Sequence, residues 1–252
     1  MSEALRPVEI NVALVPLQAR TWRPTVCLVI DQLRASSTIV TALDLGCAEL
    51  LLTASLAEAR RVARRHGSLL AGERDGITPA GFDFNNSPAD LLAGDVRGRS
   101  VVLCTSNGTR VLSRLAGMPA VLVACLDNAR ACAEAAVDLA ASLGVDVGVV
   151  CAGRKGSFAL DDAYAAGVVV ERLVEAGRDR GVEVRLRDAA VAVVRLLSTY
   201  PDVMTAFEES ETGHQVHTIH AEPDLELCAR VDGSRTVPIL RAGDPLRMER
   251  FG

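Results

Sequence analysis

Short runs of Val, Leu and Ile alternate along the chain with longer segments whose apolar positions recur at helical spacing. "TVCLVI" (25–30) is apolar at nearly every position, which predicts a strand buried on both faces. "SSTIVTALDLG" (36–46) follows at helical period and stops near Gly46. "AELLLT" (48–53) predicts a second strand, and "SLAEARRVARRH" (55–66) a helix opened by Ser55 and Glu58 at capping-box spacing. "SLLAG" (68–72) predicts a third strand, and Ser87-Pro88 an N-cap followed by a first helical residue.

Beyond that point "SVVLCT" (100–105), "AVLVAC" (120–125) and "VDVGVVCAG" (145–153) predict strands. Each is followed by a helical pattern: a short one stopped at Gly117, one over 127–143 and one over 160–176. The last quarter predicts a helix near 188–200, then a polar loop carrying His214, His217 and His220. Two strands follow, "LELCARV" (225–231) and "TVPIL" (236–240). Strand–helix alternation of this kind predicts a parallel sheet covered by helices, one α/β domain over residues 1–252 with C-terminal additions.

Apolar residues form 49% of the 252, enough for a sizeable core, and aromatics only 3%, so that core is aliphatic. Charges interrupt every apolar run well before the roughly 18 residues of a membrane span. "MSEALRPVEI" lacks the basic start and apolar centre of a signal peptide, so a cytoplasmic protein is expected. A net charge of -5 argues against a nucleic-acid partner. Seven cysteines without a CxxC pair argue against disulfide scaffolding and zinc-finger chemistry. A homodimer is expected only from how common dimers are.

The unusual residues fall where apolar strands stop. "DQLRASS", "GERDG", "CTSNGT" and "CAGRKGS" are polar turns at predicted strand ends, and in a parallel sheet such ends share one edge. They bring together carboxylates (Asp31, Glu73, Asp83, Asp161, Asp162) and guanidinium forks (Arg34, Arg74, Arg154). Hydroxyls and amides at helix N-termini come from Ser36–Ser37–Thr38 and from 105–109. Carboxylates alone repel phosphate; combined with arginines and amide donors they suit Mg²⁺ bridging protein to phosphate. A rival reading is a cysteine phosphatase, because Cys104 and Arg110 stand at C-x5-R spacing between a predicted strand and helix. Leu103 and Val111 fit that reading poorly. There is no GxxxxGK[ST] and no strand-end GxGxxG. Lys155, the single lysine, and the three clustered histidines read as solvated surface groups.

Five stretches in order resemble the 2-phosphosulfolactate phosphatase family: "DQLRASSTI" (31–39), "GERDGITPAGFDFNNSP" (72–88), "TSNGT" (105–109), "CAGRKGSFALDDAYAAG" (151–167) and, more weakly, "DLELCA" (224–229). The resemblance implies a cytosolic three-layer α/β/α protein with a largely parallel or mixed sheet. It implies a magnesium-dependent phosphatase acting on phosphate esters of small 2-hydroxy acids, with 2-phosphosulfolactate of coenzyme M biosynthesis as the family's named substrate. By position it carries over Asp31, Glu73, Asp83 and Asp162, which are expected to supply the metal site, with Asp31, Glu73 and Asp162 catalytic. It carries over Arg34, Ser36, Arg74, Asn86, Ser87, Asn107, Gly108, Thr109 and Arg154 as substrate contacts. Asp31 is also placed to attack phosphorus itself. Asn85 stands where the family usually has glycine. A non-catalytic binding protein for an anionic metabolite is the alternative of a different class.

Overall fold

A computed structural model describes residues 6–105 and 107–252 of the chain. Ser106, and the first five residues used above for the leader reading, lie outside the described part. The first half contains β1 (Val8–Ala13), a 3-10 helix (Pro16–Thr21), β2 (Thr25–Ile30), α1 (Ala35–Asp44), β3 (Glu49–Thr53) and α2 (Leu56–His66). Then come β4 (Leu69–Gly72), α3 (Pro88–Ala93), β5 (Ser100–Cys104), α4 (Gly108–Leu115) and β6 (Ala120–Val123). The second half contains α5 (Ala129–Leu143), β7 (Asp146–Cys151), α6 (Leu160–Asp179), β8 (Val184–Leu186) and α7 (Asp188–Leu197). It closes with α8 (Val203–Glu208), α9 (Glu211–Thr218), α10 (Glu222–Cys228), β9 (Pro238–Arg241) and β10 (Leu246–Arg250).

All ten strands join one mixed sheet in the order β4-β5-β3-β10-β9-β6-β2-β7-β1-β8. β4, β5 and β3 form one parallel block, and β6, β2, β7, β1 and β8 a second. Between them β10 is antiparallel to β3 and to β9, and β9 antiparallel to β6, so the two blocks run in opposite senses. The single parallel edge expected from sequence is therefore replaced by two. Right-handed twist, about 20–25° per strand pair, carries one block round relative to the other, and both end up over one set of helices. Cys27 and Val29 of β2 share a core with Leu50, Leu52, Val101 and Leu103 of the other block, together with Ile39 of α1 and Val111 and Leu112 of α4.

Alternation along β2 explains its unbroken apolar run. Cys27 and Val29 face α1 and α4, while Val26, Leu28 and Ile30 face the core shared with α5 and α6. In β5, Val101 and Leu103 face the α1/α4 side, and Val102 and Cys104 meet Ala59 and Val62 of α2. Helices thus cover both faces, giving the expected three layers. Predicted caps form where expected: Ser55 accepts from the Glu58 amide and Ser87 from the Asp90 amide.

Two expectations fail in the last quarter. "LELCARV" contributes to α10 instead of a strand, because Pro223 and the acidic Glu222 and Asp224 fit a helix's first turn. The supposed histidine loop is α9, opened by Ser210, whose hydroxyl accepts from the Gly213 amide. Among the described residues no helix is long and apolar enough to cross a membrane.

Candidate functional site

One cavity collects the ends of β2, β4, β5 and β7. Its lining includes Asp31, Arg34, Glu73, Asn86, Asn107, Arg154, Asp161 and Asp162, with Thr212 and Gln215 of α9 closing one side.

Asp31 follows β2 and is half-buried, opening on the cavity. The backbone amides of Ala35 and Gly108, the first residues of α1 and α4, both hydrogen-bond its carboxylate. Among the described residues neither helix has a side-chain N-cap of its own, and Asp31 serves both N-termini. A Cβ on Gly108 would stand 2.9 Å from Asp31 Oδ2, which explains why a glycine begins α4. The amide of Asp31 is fixed by donating to Ser36 Oγ at 2.8 Å.

The acidic neighbours repel one another. Burial raises the Asp31 carboxyl from 3.8 to about 7, assisted by the charges of Asp161 and Glu73 and opposed by the two helix amides. Burial likewise pushes Asp161 up to about 6, held back by the Thr212 hydroxyl and nearby backbone amides. Asp162 is raised well above 3.8 by burial and by the charges of Asp161 and Asp31. Its two oxygens accept from the Gln32 amide and the Gly153 amide, both at 2.8 Å, so it ties the end of β2 to the end of β7. Asp161 Oδ1, by contrast, is buried without a hydrogen-bond partner among the described residues, as is Asn86 Oδ1. The Glu73 carboxylate accepts from the Gly76 amide at 2.9 Å.

Two arginines offset this charge in different ways. Arg34, 4% exposed, is fixed by a buried ion pair to Asp224 of α10. That carboxylate also accepts from Ser87 Oγ at 2.7 Å and the Ala89 amide at 3.0 Å. Ser87 is thus an N-cap and an anchor for α10. Arg154 instead holds only Glu211, at 2.9 Å, and Gln215, at 3.4 Å.

The remaining sequence-predicted residues lie around the cavity instead of in it. Asp83 accepts from the Leu70 amide at 2.8 Å and shapes the 72–90 loop. Thr109 donates to the Thr105 carbonyl at 3.0 Å, a bond within the turn into α4. Arg74 closes a turn by backbone bonds to Ile77 at 2.9 and 3.1 Å, and its side chain is not among the cavity's lining groups. Asn85, at the family's usual glycine, donates to the Gly76 carbonyl at 2.9 Å and accepts from Arg34 at 3.4 Å. Cys104 is fully buried against α2, and burial raises its thiol. A nucleophilic cysteine needs the opposite on both counts.

Three contributors had no role assigned from the sequence, although Asp161 was among the strand-end carboxylates named there. Asp161, adjacent to the selected Asp162, has the free carboxylate oxygen. Asp224 stands just ahead of a segment read as a strand and entered only within the weaker "DLELCA" match. The third is a matched pair of turns, Arg74–Ile77 and Arg154–Ser157. Both are type I′, with positive φ at Asp75 (53°) and Gly76 (84°) and at Lys155 (51°) and Gly156 (86°). The repeated Arg-x-Gly pattern in "RDGI" and "RKGS" was the available signal.

Hard carboxylate and amide oxygens, two of them without partners, fit a divalent cation. Among the described residues no three acidic, histidine or cysteine groups gather closely enough to enclose one. Any such ion would therefore keep several waters or take oxygens from a ligand.

Fold and cavity together define an α/β/α protein whose strand-end cavity is lined by carboxylates and arginines. The chain belongs to the 2-phosphosulpholactate phosphatase family, which matches residues 13–243. That family is one of phosphoric-ester hydrolases. A Deinococcus radiodurans protein named probable 2-phosphosulfolactate phosphatase is 39% identical over 223 residues, 88% of this chain and 90% of its own length. One of the same name from Thermus thermophilus is 37% identical over 230 residues, 90% and 93% of the two chains. Another, from Clostridium acetobutylicum, is 31% identical over 221 residues, 87% and 91% of the two chains.

Proposed function

We propose that the protein is a magnesium-dependent phosphatase that cleaves the phosphate ester of a small 2-hydroxy acid, 2-phosphosulfolactate to sulfolactate and phosphate. The observation that carries this reading is the partnerless Asp161 Oδ1, buried beside Asp31 and Glu73 in a cavity that also holds two arginines. Asp31, Asp161 and Glu73 are the carboxylates that would face Mg²⁺, in part through waters of its shell. When bound, the ion would neutralise phosphate charge and lower the pKa of its water. Asp162 holds the Gln32 and Gly153 amides and through them the relative position of Asp31 and Arg154. Arg34, immobilised by Asp224, supplies a fixed positive charge. Asn86 and Asn107 add amide groups within reach of an oxyanion. The names carried by the relatives agree with this substrate.

The test is phosphate release from 2-phosphosulfolactate and 2-phospholactate, with Mg²⁺ and with EDTA. Turnover that EDTA abolishes and Mg²⁺ restores is expected. EDTA-resistant turnover would remove the metal from the mechanism. Binding of either ester without turnover would identify a metabolite-binding protein instead.

A further inference from the structure

The two arginines of the cavity differ in how firmly they are held, and this gives the substrate a direction. Asp224, 1% exposed, holds Arg34 by a charged hydrogen bond, and both groups lie out of solvent. Arg154 pairs with Glu211, which is 82% exposed; such a surface pair is worth little and is easily exchanged. Among the described residues its buried Nε finds no hydrogen-bond partner. An acid group that displaces Glu211 takes over the charged hydrogen bond from Arg154 Nη1.

Gln215 sets where that edge stands. Its Oε1 accepts from Arg154 Nη2 at 3.4 Å, and its Nε2 donates to the Asp75 carbonyl at 3.0 Å. One side chain of α9 thus bridges the two type I′ turns across the cavity mouth. Gly76 is shaped for it, because a Cβ there would stand 2.9 Å from Gln215 Nε2.

We propose that the substrate's second acidic group, the carboxylate or sulfonate, is read at the mouth by Arg154, and that Gln215 is the positioning residue that holds Arg154 for it. The phosphate then lies toward Asp31 and Asp161. This assignment rests on the phosphatase reading above, and the experiment separates the two.

Wild type, Gln215→Met and Arg154→Ala are compared on 2-phospholactate and on isopropyl phosphate, which replaces the carboxylate by a methyl group. Gln215→Met is expected to raise KM for phospholactate about tenfold, a lost hydrogen bond to a charged group, while kcat stays within about twofold. The preference for phospholactate over isopropyl phosphate then falls by the same factor. In an Arg154→Ala background, Gln215→Met should change that preference no further. Equal losses on both esters, a loss in kcat alone, or additive losses in the double variant would overturn the assignment. Calorimetric titration with sulfolactate, the proposed product, checks it without turnover: Gln215→Met and Arg154→Ala should both weaken binding. If wild type cleaves neither ester but the variants weaken sulfolactate binding, the phosphatase reading falls and the subsite stands. Unaltered sulfolactate affinity in both variants would remove the subsite.

Discussion

Of the two adjacent aspartates in the first turn of α6, Asp162 uses both oxygens on backbone amides, whereas Asp161 leaves one oxygen to the cavity. Their amide variants should separate cleanly. Asp162→Asn turns an NH₂ toward an N–H in either orientation, and a melting experiment should show a loss of roughly 1–3 kcal/mol. Asp161→Asn should keep the melting temperature and lose turnover. Asp31 makes a pH prediction whose sign follows from its raised pKa. A carboxyl that titrates near 7 in the fold and 3.8 outside it binds its proton more tightly when folded. Its contribution is present at low pH and is lost as pH rises from about 4 through about 7. Metal-free protein should therefore melt at a lower temperature at pH 8 than at pH 5.5. Asp31→Asn should flatten that slope while removing activity, and added Mg²⁺ should restore the wild-type protein at pH 8. At this scale the site was partly legible. Strand-end polarity pointed to Asp31, Glu73 and Arg154, but a sequence cannot show which of two neighbouring aspartates has its oxygens already engaged.

The turns at 74–77 and 154–157 share a backbone conformation and differ in surroundings. A Cβ on Gly156 meets nothing within 4 Å, so Gly156→Ala should cost only the left-handed backbone penalty, about 1–2 kcal/mol. Gly76→Ala adds contact with Gln215 Nε2 at 2.9 Å and Ile219 Cδ1 at 3.1 Å, and should raise KM for phospholactate as well. Measuring stability and KM on both variants checks this; equal KM effects would contradict it. Elements with one dominant signal were read correctly, such as β2 with its continuous apolar run and α2 with its Ser55 N-cap. Misreadings came where signals competed. "LELC" alternates like a strand, but the proline ahead of it and the acidic first turn decide for α10. In β10 the sequence "LRMER" is three-fifths charged, yet Met248 faces the core and the charged side chains do not.

At the scale of the molecule, strand–helix alternation gave the three layers but not the reversal between blocks, because pairing order depends on contacts between distant segments. The convergence of polar turns was anticipated from one parallel edge; it arises instead from a twisted sheet whose opposed halves enclose common helices. Met248 lies at the join, opposite Leu50 of β3 and Leu240 of β9, and is 1% exposed. Met248→Asp should destabilise by on the order of 4 kcal/mol or more, and denaturant unfolding should show it. A fully stable Met248→Asp protein would mean that the join does not hold the halves together.

The order of synthesis meets the order of the sheet at this join. Every strand of both blocks is made before β9 and β10, yet those two separate and connect the blocks. A growing chain that has passed residue 200 holds two half-sheets with their inner edges, β3 and β6, still unpaired. Until Pro238–Arg250 emerges, these edges are open to any other extended chain nearby. The interval in which these edges stay open to mispairing is thus set by the topology.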